Sequence, residues 1–188
     1  MQTIYAEVIG PVCDGASVLG RSSWRPELGA LRPYITQLGA EHTSQLSALL
    51  CSLDKSARIN RFGHPASDPS VQAYAKDSIA KAAYVVGALN AGRLIGVGEV
   101  FATRNGVAEA AFAIDADYRR RGLGLALLEA ARRWAAQEGI VALRMVISRN
   151  NWPMRLLAHK AGARFDFDLD EISAEISVAA AGSLNIAA

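Results

Sequence analysis

The residues best suited to chemistry stand in one short run, "DYRRRGLGLALLEAARRW", where Arg119-x-x-Gly122-x-Gly124 opens an amphipathic helix. A helix start collects unpaired backbone N–H groups and a partial positive charge, and together these hold anions. Glycines at 122 and 124 remove the Cβ atoms that would keep a bulky pyrophosphate away from the main chain. Arg119, Arg120 and Arg121 add positive potential beside it. The pattern suits a polyanionic ligand gripped mainly by backbone. Two familiar phosphate loops do not fit. A dinucleotide-binding fingerprint needs a third glycine where Leu127 stands, and no βαβ unit begins the chain. A nucleotide-hydrolase loop needs Gly-Lys-Ser/Thr after the turn, and that triplet is missing. The plainer alternative is a glycine turn that only launches a helix, with its arginines solvated. The motif by itself does not separate the two.

Composition narrows the setting. The chain has 188 residues, 51% of them hydrophobic and 20% charged, which fits one globular domain with a substantial core. A formal net charge of +2 does not point to nucleic acid or a membrane surface. The arginines at 119 to 121, 132 and 133 lack the interleaved aromatics of a nucleic-acid surface. Cys13 and Cys51 have no metal-ligand spacing and are too few for a disulfide framework, so reduced thiols are expected. His42, His64 and His159 are scattered without a Cys, Asp or Glu pattern, so no metal is expected. No run approaches the roughly 20 apolar residues of a membrane span. "MQTIYAEVIGPVCDG" lacks a basic start followed by a long apolar run, so a cytoplasmic protein is expected. Trp24, Trp134 and Trp152 read as packing elements rather than stacking platforms, Trp134 on the helix's apolar stripe.

The elements that must position the glycine turn alternate along the chain. Residues 1–28 carry no sustained period and read as an N-terminal extension; 179–188 read as a flexible tail. Between them, "ALRPYITQL" has strand character, and Leu46, Leu49, Leu50 and Leu53 recur at helical spacing. "DKSARINRF" can form a further short helix with Ile59 and Phe62 inward. Asp68 then reads as an N-cap with Pro69 at the first helical position of "VQAYAKDSIAK". "AAYVVGALN" and "LIGVGEVFATR" are strands, the glycines of the second marking a bulge or close backbone approach. Asn105-Gly106 signals a hairpin into "VAEAAFAID". The helix after the glycine turn places Leu123, Leu127, Ala131 and Trp134 on one side, with Glu129, Arg132 and Arg133 largely opposite, and Gly139 ends it. "IVALRMVIS" reads as a buried parallel strand. Asn151 heads a short helix that closes at Gly162, and "RFDFDL" and "EISAEISV" are final strands. The order β-α-α-β-β-β-α-β-α-β-β predicts an α/β chain of the α+β type: a mixed, mostly antiparallel sheet of about seven strands flanked by helices.

A strand meander leading into R-x-x-G-x-G at a helix start, followed by an apolar strand and an Asn-headed helix, resembles the GNAT superfamily of acyl-CoA-dependent N-acyltransferases. The resemblance is carried by "AEAAFAIDADYRRRGLGLALLEAARRWA", "SRNNWPMRLLAHKAGARF" and, less strongly, "YVVGALNAGRLIGVGEV". It covers about residues 30 to 178, within an expected domain over 29–178. "LCSLDKSARINRFGHPASD" is also similar to the N-terminal half of bacterial members related to protein-lysine acetylating enzymes. The resemblance implies acetyl-CoA as cosubstrate, no metal, and acetyl transfer to a primary amine by direct attack in a ternary complex. A small-molecule amine and a protein lysine are both open as acceptors, to a monomer or homodimer. A non-catalytic acyl-CoA-binding sensor is the alternative.

The resemblance also implies roles. The strand before the glycine turn and the strand after its helix splay into a slot for the pantetheine arm, lined by the backbone of Phe112, Ala113 and Ile114. The N–H of Ala113 or Ile114 would steady the thioester oxygen as it gains charge. Arg119, Arg120, Arg121, Gly122, Leu123 and Gly124 would surround the pyrophosphate, and Asn151 would lie near the arm while capping its helix. A base must take the amine's proton. Glu109 is the first candidate, with burial expected to raise its pKa; Glu99, on the neighbouring strand, is the second. Many relatives carry a tyrosine acid where Ala158 stands here. His159 is adjacent but points about 100° away on a helix, leaving Ser148, Tyr118 or water. The acidic cluster Asp166, Asp168, Asp170 and Glu171 either attracts a cationic acceptor or is a solvated turn.

Overall fold

The computed structural model describes residues 33–102, 105–168 and 171–178. The segments expected as the N-terminal extension and C-terminal tail, with Cys13 and Trp24, lie outside them. The order is β1 (Tyr34–Gln37), α1 (Thr43–Cys51), α2 (Lys55–Phe62), α3 (Asp68–Lys81), β2 (Tyr84–Asn90), β3 (Arg93–Ala102), β4 (Val107–Ile114), α4 (Leu123–Gln137), β5 (Ala142–Ser148), α5 (Trp152–Lys160), β6 (Arg164–Phe167) and β7 (Glu171–Ser177). Seven strands form one sheet in the order β1-β2-β3-β4-β5-β7-β6. Among the described residues, only β4 and β5 run parallel. The expected mixed, mostly antiparallel sheet is thus observed.

Local chemistry sets the boundaries. Asp54 caps α2 by accepting from the Ala57 N–H at 2.8 Å, and Gly63 closes that helix in the left-handed region. Ser67 caps α3, with Asp68 already helical, so the N-cap lies one residue before the position expected. Asn105 and Gly106 both take positive φ, at 66° and 74°, the conformation a tight hairpin turn requires. Between β2 and β3 the register shifts at Ala88/Leu89. Close approach explains the glycines of β3: a Cβ on Gly98 would sit 2.7 Å from the Phe112 ring.

The two faces of the sheet are covered unequally. On one, Leu128, Ala131 and Ala135 of α4 and Ala158 of α5 pack on Ala108, Ala110, Leu143, Met145, Ile147 and Ile172. On the other, Leu46, Leu49 and Leu50 of α1 with Val71 and Ala75 of α3 pack on Val85, Val97 and Ala113. Helix α2 buries no residue completely; Ile59 and Phe62 are half-buried rather than core. Ala57 and Phe62 pack against the edge of the α1–α3 core, and polar groups add to the attachment. Arg58 donates to the Cys51 and Ala66 carbonyls and to Asp68, while Arg61 reaches Glu99 and Tyr74. Arg132 departs from the expected solvent side of α4. It is buried, paired with Glu129 at 2.9 Å and bonded to the Ser177 carbonyl at 3.1 Å, fastening the end of β7 to the helix.

Candidate active site

The central strands part within the sheet. β4 and β5 share three register pairs, Val107↔Ala142, Ala108↔Leu143 and Glu109↔Arg144. Beyond them β4 stays paired with β3 through Ile114, while β5 stays paired with β7 through Ser148. A slot opens between the two just past Glu109. The Asp115 N–H donates to the Ile95 carbonyl at 2.9 Å, which fixes the phase of the β3–β4 ladder. Alternation then turns the amides of Ala111 and Ala113 toward β3 and those of Phe112 and Ile114 toward the slot. Ala113 thus presents its main chain to β3 and its methyl to the α1–α3 core, so only Phe112 and Ile114 of the three bring amides to the slot.

The glycine turn stands at the open end of this slot. Gly122 has φ +86°, a left-handed conformation that disfavours a side chain, and it caps α4 with no side-chain hydrogen bond. The first helical bond runs from the Ala126 N–H to the Gly122 carbonyl at 3.1 Å. The N–H groups of Leu123, Gly124 and Leu125 are left without partners among the described residues. By contrast, side chains cap α2, α3 and α5. No acidic residue stands in the first turn of α4. A Cβ on Gly124 would meet Leu157 at 3.3 Å and Ile114 at 3.4 Å, so glycine here lets the helix start approach both α5 and the end of β4.

The three arginines differ. Arg119 folds back, its Nε donating to the Ile114 carbonyl at 3.1 Å and its Nη1 to Asp54 at 2.7 Å. It braces the end of β4 against the start of α2. The Ala57 N–H and the Arg119 guanidinium hold the Asp54 carboxyl below the usual carboxylate range. Arg120 and Arg121 are exposed, and the Arg121 guanidinium lies 5.6 Å from the centre of the Tyr118 ring. Asn151 is the N-cap of α5, accepting from the Met154 N–H at 3.3 Å. Between α2 and the end of β5 lies a hollow of about 440 Å³ lined by Lys55, Ser56, Ile59, Asn60, Ser148 and Asn150.

The two candidate glutamates stand in opposite circumstances. Both project to the α1–α3 face, Glu99 opposite Ala111 and Glu109 opposite Phe101. Glu109 is exposed rather than buried and has no hydrogen-bond partner among the described residues. Glu99 is fully buried and accepts from Arg61, Ser78 and Tyr74, the last at 3.2 Å. Burial pushes the Tyr74 hydroxyl up, and Arg61 opposes that shift. Burial also works against the Arg61 charge, but Glu99 and Tyr74 overcome it and raise the guanidinium.

The remaining sequence candidates are placed as follows. Ala158 is fully buried in the core, while His159 beside it is exposed. Tyr118 accepts from Asn90 at 3.0 Å. Trp134 stacks on Tyr84 with ring centres 5.0 Å apart, as packing requires. Trp152 is not a core residue: it is 68% exposed, with the Arg155 guanidinium 4.2 Å from its ring centre. Cys51 is a free thiol. No group of three or more His, Cys, Asp or Glu side chains among the described residues could hold a metal ion. The sequence reading did not find Arg61 or Asp54. Asp54 is legible as a cap ahead of a helix, but its bond to Arg119 and the Arg61–Glu99 pair join residues distant in sequence.

The family model of the GNAT acetyltransferases matches residues 50–163, more than half of the chain. The chain belongs to that family, whose reaction is acetyl-CoA-dependent N-acetyl transfer. No curated protein matches it in sequence. Among solved structures, it is similar to the GNAT domain of S. lividans PAT, at 19% identity, with a TM-score of 0.67 over 77% of this chain and 90% of that one. It is also similar to the PaiA N-acetyltransferase of Thermoplasma acidophilum in complex with coenzyme A, at 18% identity and TM-score 0.63 over 78% and 99%. A third is the ribosomal-protein-S18-alanine N-acetyltransferase of Escherichia coli, at 17% identity and TM-score 0.63 over 82% and 99%. At these identities the likeness is one of fold.

Proposed function

We propose that this chain transfers the acetyl group of acetyl-CoA to a primary amine by direct attack in a ternary complex, with Glu109 taking the amine's proton. The observation that carries the reading is the splay of β4 from β5 immediately after Glu109, with unpartnered amides lining it and three more at the start of α4. The residues present fit the cosubstrate. Leu123, Gly124 and Leu125 would donate main-chain N–H groups to its pyrophosphate, and Arg120 and Arg121 would add charge. Phe112 and Ile114 would pair with the arm. Of these two, Phe112 lies nearer Glu109, about 10 Å along the strand, and its N–H is the better-placed donor to the thioester oxygen. Asn151 would border the arm from α5.

The cosubstrate supplies an activated acyl carbon and a thiol leaving group. Glu109 receives the proton released as the amine nitrogen bonds to that carbon, directly or through a water. Breaking the C–S bond returns the carbonyl and leaves a thiolate. Ala158 offers no acid, so solvent protonates the thiolate, whose ordinary basicity makes a dedicated donor dispensable. Glu99 has a different part: three donors hold it, and it anchors α2 and α3 to β3. The test is acetyl-CoA turnover with a panel of amines and peptides, followed by free-thiol release. Acceptor-dependent release is expected. Tight coenzyme A binding with no release for any acceptor would favour a sensor and overturn the reading.

A further inference from the structure

The peptide between Ile114 and Asp115 stands where β4 has lost β5 as a neighbour. Its N–H and C=O point opposite ways, as in any trans peptide. The Asp115 N–H donates to the Ile95 carbonyl of β3 at 2.9 Å, which turns the Ile114 carbonyl to the slot side. There the Arg119 Nε donates to it at 3.1 Å. A side chain thus takes the place of the missing strand and clamps this peptide from its second side. The Ile114 amide, one of the two that face the slot, is part of the same residue.

The rest of the guanidinium is engaged elsewhere. Its Nη1 donates to Asp54 Oδ2 at 2.7 Å, while Nη2 is buried with no partner among the described residues. The other Asp54 oxygen, Oδ1, accepts from the Ala57 N–H at 2.8 Å and so caps α2. One carboxylate therefore ties the start of α2 to the end of β4. The pair is part-exposed, Arg119 at 36% and Asp54 at 49%, so it adds little stability. What it fixes is position. Lys55, Ser56, Ile59 and Asn60 of α2 form one wall of the hollow whose other wall is Ser148 and Asn150, so α2 stands over the mouth of the slot.

From this we infer that Arg119 and Asp54 are a positioning pair for acetyl transfer. Although Arg119 opens the phosphate motif, it acts on the acyl arm and on α2 at the slot mouth rather than on the pyrophosphate. This rests on the slot between β4 and β5 holding that arm. Arginine is required because its planar fork serves two acceptors in fixed directions, which a lysine's single head cannot do.

The test uses Arg119→Lys, Asp54→Asn and the double variant. Asparagine still accepts the Ala57 N–H, so α2 keeps its cap while the ion pair is lost. Residue-resolved hydrogen exchange with and without coenzyme A reads both ends of the ligand at once. In the wild type, coenzyme A should slow the Ile114 amide and those of Leu123, Gly124 and Leu125. In each single variant the slowing at Ile114 should fall about tenfold, while that at Leu123 to Leu125 stays within about threefold. The kcat should fall about tenfold in each, and the double variant should fall no further than the worse single. Melting temperatures should stay within about 4 °C.

Lost slowing at Leu123 to Leu125 in Arg119→Lys would make Arg119 a phosphate ligand and overturn the inference. So would tighter coenzyme A binding in Asp54→Asn, where the guanidinium is set free with its charge intact. Unchanged exchange at Ile114, an unchanged kcat, or multiplicative losses in the double variant would each overturn it too. A larger fall in melting temperature, with protection lost alike at every amide, would reduce the pair to a structural role. An Ile114 amide that coenzyme A leaves unprotected in the wild type would instead defeat the slot reading beneath the inference.

Discussion

Glu109 and Glu99 project from neighbouring strands to the same face, but their surroundings differ. A base must exchange a proton with an incoming group, so an unpartnered carboxylate at the vertex of the slot is suited to it. A carboxylate holding Arg61, Tyr74 and Ser78 is already committed. Replacing Glu109 by Gln should lower kcat about a hundredfold, within the range for loss of a general base. Coenzyme A affinity measured by calorimetry should stay within about twofold, and the acid limb of the pH–rate profile should disappear. An unaltered profile would move the role to Glu99 or solvent. The strand bearing Glu109 was legible from "AEAAFAI", but its environment was not. Burial depends on what covers that part of the sheet, which a strand's own pattern does not report. Ala158 was legible as a departure from relatives: its methyl has no proton to give, and it is spent on packing in the core, while His159 beside it faces outward.

On the proposed function, the start of α4 is the element on which cosubstrate binding depends. Its three free amides follow from a glycine cap that has no side chain to satisfy them. A carboxylate at Gly122 would compete for those amides and repel phosphate. Gly122→Asp should weaken coenzyme A binding more than a hundredfold. Because φ is +86°, the substitution also strains the turn and should lower the melting temperature. Gly122→Ala carries the same strain without the charge and should keep binding within about tenfold. Wild-type affinity in Gly122→Asp would defeat the cradle. The glycines and the anion logic could be read from the motif, since backbone geometry is local. The fate of Arg119 could not. Its guanidinium turns from the cradle to Asp54, an acceptor 65 residues away in sequence that only the packing of α2 on β4 brings near.

At the scale of the whole molecule, the alternating elements imply the architecture, because periodicity reports which faces are buried. It does not report coverage. Val146 and Arg144 are exposed on an interior strand, and a pattern of alternate burial looks the same whether the other face meets helices or solvent. Three register pairs fasten β4 to β5, so the sheet behaves like a clothes-peg: β1 to β4 form one jaw, β5 to β7 the other, gripped at the Val107–Glu109 end. Amides at the centre of a sheet ordinarily exchange with solvent slowly. Those of Phe112 and Ile114 should exchange fast in the free protein, whereas Ala113 between them should be protected by β3. Coenzyme A should slow the first two and leave the third unchanged, as read by residue-resolved hydrogen exchange. Uniform protection across 112 to 114 without ligand would mean the jaws are shut. An object of this shape also loads from its open end, so a long thioester can enter and its spent thiol can leave without any helix moving aside.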